Sequence, residues 1–266
     1  MEKRHSQGMM DLYISAIIQA RMGSSRLPGK VMKEVSGHPV LYHVIERVSR
    51  SRMINEVMVA TTFEKEDLAI LEFCAGRGIR VFAGSEEDVL DRYYQAAKLC
   101  KPDHVVRITA DCPLHDPAVI DMVIHKHLEL GNDYTSNTLE ETFPDGLDCE
   151  IFTFAALEQA WKKAKLLSER EHVTPYLKKG EHFKKYCVKD TIDHSQYRWT
   201  LDTERDFVFI SKIFEELYPD NPEFGKNDIY ELLERCPEIL EINKGIIRNE
   251  GYLRSLENDK IVTEQR

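Results

Sequence analysis

LYISAIIQARMGSSRLPGKVMK, residues 12–33, decides the architecture. Residues 12–19 form an apolar, β-branched run that ends in a loop of glycine, serine and proline. A run of that length and composition is the profile of a strand buried on both faces, as in a parallel sheet. The loop offers Gly23, Ser24, Ser25 and Gly29, whose backbone N–H groups can face a ligand. It also offers Arg21, Arg26 and Lys30, whose side chains can form charge-assisted bonds to phosphate oxygens. With Lys33, residues 12–33 hold four basic side chains and no acid. Ligands of open α/β sheets bind beyond the C-terminal ends of the strands, so a cationic loop there reads as a phosphate site. The plainer reading is a glycine-rich turn with solvated basic residues, and three cations within ten residues weigh against it. The loop is not a Walker A sequence, since five residues separate its glycines and Val31 follows Lys30; nor is it a dinucleotide G-x-G-x-x-G.

The same alternation continues outward. Helical patterns at 39–50, 66–75, 85–99 and 117–130 separate strand-like runs at 56–62, 79–82 and 105–109. Ser85-Glu-Glu-Asp88 reads as the capping box of the third helix, and Pro117 sits in the first turn of the fourth. This order predicts an α/β fold of three layers, a mostly parallel sheet covered by helices on both faces. Beyond 132 the pattern loosens into extended pieces at 133–136, 149–152 and 185–188, helices near 155–165 and 169–179, and one more strand at 197–201. Thr203-Glu-Arg-Asp206 caps a helix to about 217, and the charged stretch after Pro219 is mostly helical without a strong core pattern.

Composition bounds the alternatives. The 266 residues carry 36 Lys and Arg against 46 Asp and Glu, a net charge of −10, and 42% are hydrophobic. Such a chain is not disordered and is long enough for one large core. The acidic balance argues against a general binder of nucleic acid or of anionic membrane, yet leaves room for a small anion at a locally basic loop. Cys74, Cys100, Cys112, Cys149, Cys187 and Cys236 are scattered, with no C-x-x-C pair, and read as reduced thiols of a cytoplasmic protein. The apolar run near the N-terminus is too short to span a membrane.

Two aspartates follow strand-like runs at the edge where the cationic loop should lie. Asp111 ends Val105-Val-Arg-Ile-Thr-Ala-Asp111 before Pro113, and Asp202 ends Arg198-Trp-Thr-Leu-Asp202 before a capped helix. Either alone is ordinarily a turn or cap residue. As a pair beside that loop they suit magnesium, which takes one or two carboxylates plus substrate phosphates. Mg2+ on Asp111 and Asp202 would offset charge during in-line attack at phosphorus. Thr142-Phe-Pro-Asp145-Gly-Leu-Asp148-Cys-Glu150 is either a Pro-Asp-Gly turn or a loop bordering a second ligand. Cys112 and His115 have a zinc-like spacing without a second pair, which favours a structural role. His125 and His127 stand two apart on a helix and cannot share a face.

Taken together, IIQARMGSSRLPGKVM, GSEEDVLDRY, RITADCPLHDP, DYTSN, TFPDGLDCEIF, EREHVTPYL and RWTLDTERDF, in that order, resemble the SpsF-type cytidylyltransferases. These are spore-coat polysaccharide biosynthesis proteins related to CMP-sialic acid and KDO cytidylyltransferases. The resemblance implies a Rossmann-like nucleotide-diphospho-sugar transferase (GT-A-like) fold. It also implies Mg2+-dependent transfer of CMP from CTP to an acidic sugar, a nonulosonic or related 2-keto acid, with release of pyrophosphate. Carried over by position, Arg21, Ser24, Arg26 and Lys30 cradle the triphosphate, with Ala20 and Gly23 in the same loop. Gly84 and Arg92 lie beside base and ribose, and Asp111 and Asp202 hold the metal. The catalytic residues are then Arg21, Arg26, Lys30 and Asp111.

On the sugar side fall Asp145, Asp148 and Glu150, with Arg170, His172 and Arg198 to meet a sugar carboxylate. In this reading 1–11 is a flexible leader, 12–218 the catalytic domain and 219–266 a helical tail, with 134–200 the sugar-binding and possible dimerisation region of a homodimer. The phosphate loop reads Ser25-Arg26-Leu-Pro-Gly-Lys30 instead of the S-K-R form of sialic acid synthetases, so the sugar does not carry over from them. Two other readings stay open. One is a GTP- or UTP-dependent sugar nucleotidyltransferase, or a glycosyltransferase, on the same fold; Ala110-Asp111-Cys112 lacks the first aspartate of the D-x-D that a glycosyltransferase usually shows. The other is a non-catalytic nucleotide-binding scaffold, against which the intact loop and both aspartates argue.

Overall fold

Ile14–Gln19 is the first strand, β1, of a computed structural model that describes residues 12–262. The leader expected over 1–11 lies outside the described residues. Ile14, Ala16 and Ile18 enter one apolar cluster and Ile17 a second, so β1 is apolar almost throughout because both its faces are covered. In chain order there follow β2 (Glu34–Val35), β3 (His38–Pro39), α1 (Val40–Ser49), β4 (Glu56–Thr62), α2 (Leu68–Gly76), β5 (Arg80–Gly84) and α3 (Val89–Cys100). Next come β6 (His104–Thr109), α4 (Pro117–Leu130), β7 (Tyr134–Ser136), β8 (Glu150–Thr153), α5 (Phe154–Lys163), α6 (Leu167–His172), α7 (Pro175–Lys179) and β9 (Lys185–Cys187). The chain continues through α8 (Glu204–Leu217), α9 (Lys226–Arg235) and α10 (Glu250–Glu257).

Seven strands form the main sheet in the order β5-β4-β1-β6-β8-β7-β9. β5, β4, β1 and β6 are parallel; β8 runs antiparallel to β6 and β7, and β9 is parallel to β7. The outward crossovers α1 and α2 pack into one cluster, while α3, which carries the chain back across β1 to β6, packs into the other. Crossovers of constant hand require that change of face when the direction of travel reverses. The reversal makes β1 and β6 a topological switch point, with a crevice beyond their C-terminal ends.

Four local expectations differ. The helix expected to open at Ser85 begins at Val89 with Asp88 as its cap: Asp88 Oδ1 accepts from Asp91 N at 2.9 Å, while Ser85 Oγ accepts from Asp88 N in the preceding turn. The helix expected over 169–179 is two, α6 and α7, because Val173 leaves the helical region at φ 69° and Pro175, with no N–H to donate back into the preceding turn, opens α7 as its first residue. The run 197–201 makes no strand. Its backbone pairs with two loops instead, Trp199 N to Asp145 O at 2.6 Å and Leu201 N to Asp111 O at 2.8 Å. The tail is helical but not without a core pattern. Phe224, Ile229, Leu232, Leu233 and Ile239 are buried in the cluster that holds Ile14 and Ile18.

Candidate active site

A cleft of about 2360 Å³ opens at the switch point, lined by the loop after β1, the start of α3, the loop after β6, residues 138–150 and 198–202, and α10. That volume exceeds the several hundred Å³ of an ordinary small-molecule pocket and accommodates two ligands side by side. The loop after β1 is closed by Gly29, whose φ of 68° lets its N–H reach Met22 O at 2.9 Å. A residue with a Cβ is strained at such an angle. Asp67, fully buried, fastens the loop to the neighbouring strand: its carboxylate accepts from Met22 N at 2.6 Å and from Thr62 N at 3.2 Å. The loop is thus pinned at both ends before any ligand arrives.

Lys30 reaches from the loop to the two aspartates. Its Nζ lies 2.7 Å from Asp111 Oδ2 and 2.8 Å from Asp202 Oδ1. Burial opposes charging of Lys30 and of Asp111, but the attraction of opposite charges wins: the Lys30 ammonium and the Thr109 hydroxyl hold the Asp111 carboxyl far below the usual range, and the neighbouring carboxylates raise Lys30. Arg26 joins Asp202 at 3.1 Å from its other side and also pairs with Glu250. Arg21 stands at the rim, 3.2 Å from Glu86. Among the described residues no three His, Cys, Asp or Glu converge as a metal cage. Asp111 and Asp202 remain a pair of hard oxygen donors meeting at one point, a set that fits a cation whose shell is completed by substrate oxygens.

The second half of the cleft is organised by arginines. Arg198, nearly buried, grips three aspartates: Asp145 at 2.8 Å, Asp202 at 2.9 Å and Asp206 at 2.9 Å. Asp206 is also the reciprocal cap of α8, so Arg198 welds Asp202 to a helix terminus. Gly146 makes this possible; a Cβ there would stand 2.6 Å from Trp199 C, at φ 113°. Burial and the Asp148 carboxylate lift Asp145 to about 7, against the pull of Arg248 and Arg198. Burial raises Asp148 too, despite Arg248 at 2.8 Å. Glu150 behaves oppositely, because Lys178, Arg107, Tyr134 and Thr174 surround its carboxylate at 3.0, 2.5, 2.5 and 2.8 Å and overcome its burial.

The residues picked from the sequence therefore separate. Ala20, Arg21, Gly23, Ser24, Arg26, Lys30, Asp111 and Asp202 share one end of the cleft with Arg92. Gly84 lies behind Arg92, where a Cβ would come within 3.0 Å of the Arg92 side chain; buried Arg92 donates to Ser85 O at 2.7 Å. Asp145, Asp148, Glu150, Arg170, His172 and Arg198 line the other end. There the expectation of cations free for a carboxylate needs correcting. Arg198 is spent on three aspartates, Arg170 is bidentate on Asp88 at 3.0 Å, and burial drives the His172 pKa down to about 4, leaving a neutral ring bonded to Ser255 Oγ at 2.9 Å. Glu150 is likewise a structural anchor. Missed from the sequence were Asp67, Arg107, Lys178 and the tail residues 248–262. Only Arg107 carried a signal, as a charge inside an otherwise apolar strand that must find a partner. Cys112 and His115 are both buried.

A cationic loop facing two carboxylates at the switch point of such a sheet belongs to the class of nucleotide-binding α/β transferases. The comparisons narrow the class. The cytidylyltransferase family model matches residues 15–251, and the chain belongs to that family and is a nucleotidyltransferase. It is 39% identical over 244 residues to an uncharacterised protein of Methanocaldococcus jannaschii, covering 90% of this chain and 97% of that one. It is 34% identical over 237 residues to the spore coat polysaccharide biosynthesis protein SpsF of Bacillus subtilis, covering 84% and 94%. A solved cytidylyltransferase from Leptospira borgpetersenii superposes with a TM-score of 0.83 at 34% identity, over 89% of this chain and 100% of that one.

Proposed function

We propose that this chain transfers CMP from CTP to an acidic sugar, a nonulosonic or related 2-keto acid, releasing pyrophosphate for the synthesis of a surface polysaccharide or glycan. The observation that carries the reading is the convergence of Lys30, Asp111 and Asp202 below a glycine- and serine-containing loop that carries Arg21 and Arg26. Arg21 and Arg26 with the backbone of Gly23 and Ser24 hold the triphosphate, and Arg92, backed by Gly84, stands on the base and ribose side. Lys30 meets the charge that grows on the phosphate oxygens as the sugar hydroxyl attacks the α-phosphorus. Asp111 and Asp202 would hold Mg2+, which when bound supplies a hard cation for those oxygens. Arg198 keeps Asp202 in place throughout.

On the sugar side, Lys178 lines the cleft with about a third of its side chain accessible beside Glu150 and offers a cation to a carboxylate. The catalytic unit is 12–218 together with the tail that packs into its core and lines its cleft, with 134–200 the sugar side. β9 ends the sheet as an edge strand and offers a homodimer contact. No described helix is long and apolar enough to cross a membrane, in keeping with an enzyme working in the cytoplasm.

The test is a matrix of four nucleoside triphosphates against a panel of acidic sugars at saturating Mg2+, read by pyrophosphate release. Release is expected with CTP and one sugar class, and Asp111→Asn should lower it by at least about a hundredfold. Full activity of Asp111→Asn removes the assigned site; nucleotide binding without release in any well removes the transferase reading in favour of a binding module.

A further inference from the structure

One contact in the cleft is out of keeping with a triphosphate site. Glu250, at the start of α10, lies against Arg26 of the phosphate loop, 224 positions earlier in the chain. Arg26 thus holds two carboxylates, Asp202 and Glu250, where it would otherwise hold phosphate. The helix that delivers Glu250 is not anchored by apolar packing. Ile247, Leu253 and Leu256 are exposed, and among α10 residues only Ser255 is buried. Its attachments are mostly polar: Arg248 to Asp148 at 2.8 Å, Asn249 to Glu141 at 3.2 Å, and Ser255 to His172 at 2.9 Å and to Glu171 at 2.6 Å, beside one ring contact of Tyr252 with His172 at 5.0 Å. Gly245 and Asn249, with φ of 81° and 58°, mark the turns that bring the segment back over the cleft. An element with few buried apolar contacts opens at low cost. Glu250 also pairs with Arg254 one turn on, so it keeps a partner when Arg26 leaves it.

We propose that Glu250 occupies the Arg26 guanidinium in place of a nucleotide phosphate, so that polyphosphate binding displaces Glu250 and releases α10 from the mouth of the sugar half of the cleft. The proposal rests on the nucleotide reading of the loop and adds an order to it: nucleotide enters first, and its arrival opens the way for the sugar. Phosphate competes well for Arg26 because it carries more charge than a carboxylate and matches the guanidinium fork. A partly exposed ion pair opposes that competition only weakly.

The probes are tripolyphosphate and CTP, each measured by calorimetry with the full chain, together with hydrogen exchange across 250–257. Glu250→Gln should bind tripolyphosphate about threefold more tightly than the parent, in line with the loss of one partly exposed competing pair. Glu257→Gln, an equal change of charge on the exposed side of the same helix, should not. Tripolyphosphate should speed exchange in 250–257 of the parent and leave the already faster exchange of Glu250→Gln unchanged. If Glu250→Gln binds as the parent does, or if exchange in 250–257 slows on binding, the latch is refuted while the nucleotide reading survives. If the parent binds neither probe, the nucleotide reading falls and the latch with it.

Discussion

Replacing Lys30 by methionine tests the centre of the site without needing the acceptor sugar. Methionine keeps the length and removes the charge. Lys30 is 12% exposed, and the carboxylates it bridges are 26% and 21% exposed, so both bonds are made largely out of water. Asp202 keeps Arg198 and Arg26 in the variant, whereas Asp111 has no second cation within 4 Å among the described residues. The loss is therefore mainly that of one desolvated carboxylate, about 3 kcal/mol. For a chain of this size that lowers Tm by roughly 5 °C.

The sign of the pH dependence follows from Lys30, which the two carboxylates raise above its ordinary 10.5. Its contribution is complete below 10.5 and is lost only as pH rises through the higher folded value, so the difference between parent and variant should be flat from pH 7 to 9. Urea unfolding followed by tryptophan fluorescence measures it. Adding Asp111→Asn to the variant should recover more than half of the loss, since the stranded charge is then gone. CTP affinity should fall at least about tenfold in Lys30→Met. Equal stability of Lys30→Met and the parent, or no recovery in the double variant, would show that the three groups do not form the coupled cluster described here.

Gly146→Ala should cost about 3 kcal/mol, because its Cβ would stand 2.6 Å from Trp199 C at an angle that L-residues avoid; a parent-like thermal melt contradicts the packing of that loop on 197–200. Acid should unfold the chain through its buried histidines. Burial pushes His43 and His115 down to about 4 and His127 to about 3 from an ordinary 6.5. The unfolded chain then takes up protons first, so stability falls as pH drops below 6.5 and is unaffected by these groups above it. The three together contribute a slope of about 4 kcal/mol per pH unit well below that point. A urea midpoint that is the same at pH 7.5 and 5.0 rules this out.

The readable features were those written in local pattern. Residues 12–19 announce a doubly covered strand because every position but two is apolar, and a parallel sheet is the structure that buries such a run. Given that sheet, the loop from Arg21 to Lys30 and Asp111 had to fall at one edge, since strands pointing the same way bring their C-terminal ends together. Asp202 reaches that edge without a strand, on a segment tied to it by Leu201 N to Asp111 O. The helix cap at Thr203 was legible for the same reason, its two partners lying three residues apart.

What the tertiary structure alone decided is who pairs with whom. No local pattern says that Arg198 is shared among Asp145, Asp202 and Asp206 and so is not a free cation for a sugar; that follows from the loop at 145 and the cap of α8 meeting at its guanidinium. Arg107 needed a partner by its burial, but that the partner is Glu150 depends on β8 lying antiparallel beside β6. The run 197–201 has the alternation of a strand and became none, because its backbone found loops instead of a neighbouring strand. Charge pairs have no period and no fixed separation along the chain, as Arg26 and Glu250 show. Burial pattern is a property of successive residues and can be read from them. Ion pairing across the cleft is a property of the assembled sheet and its returning tail.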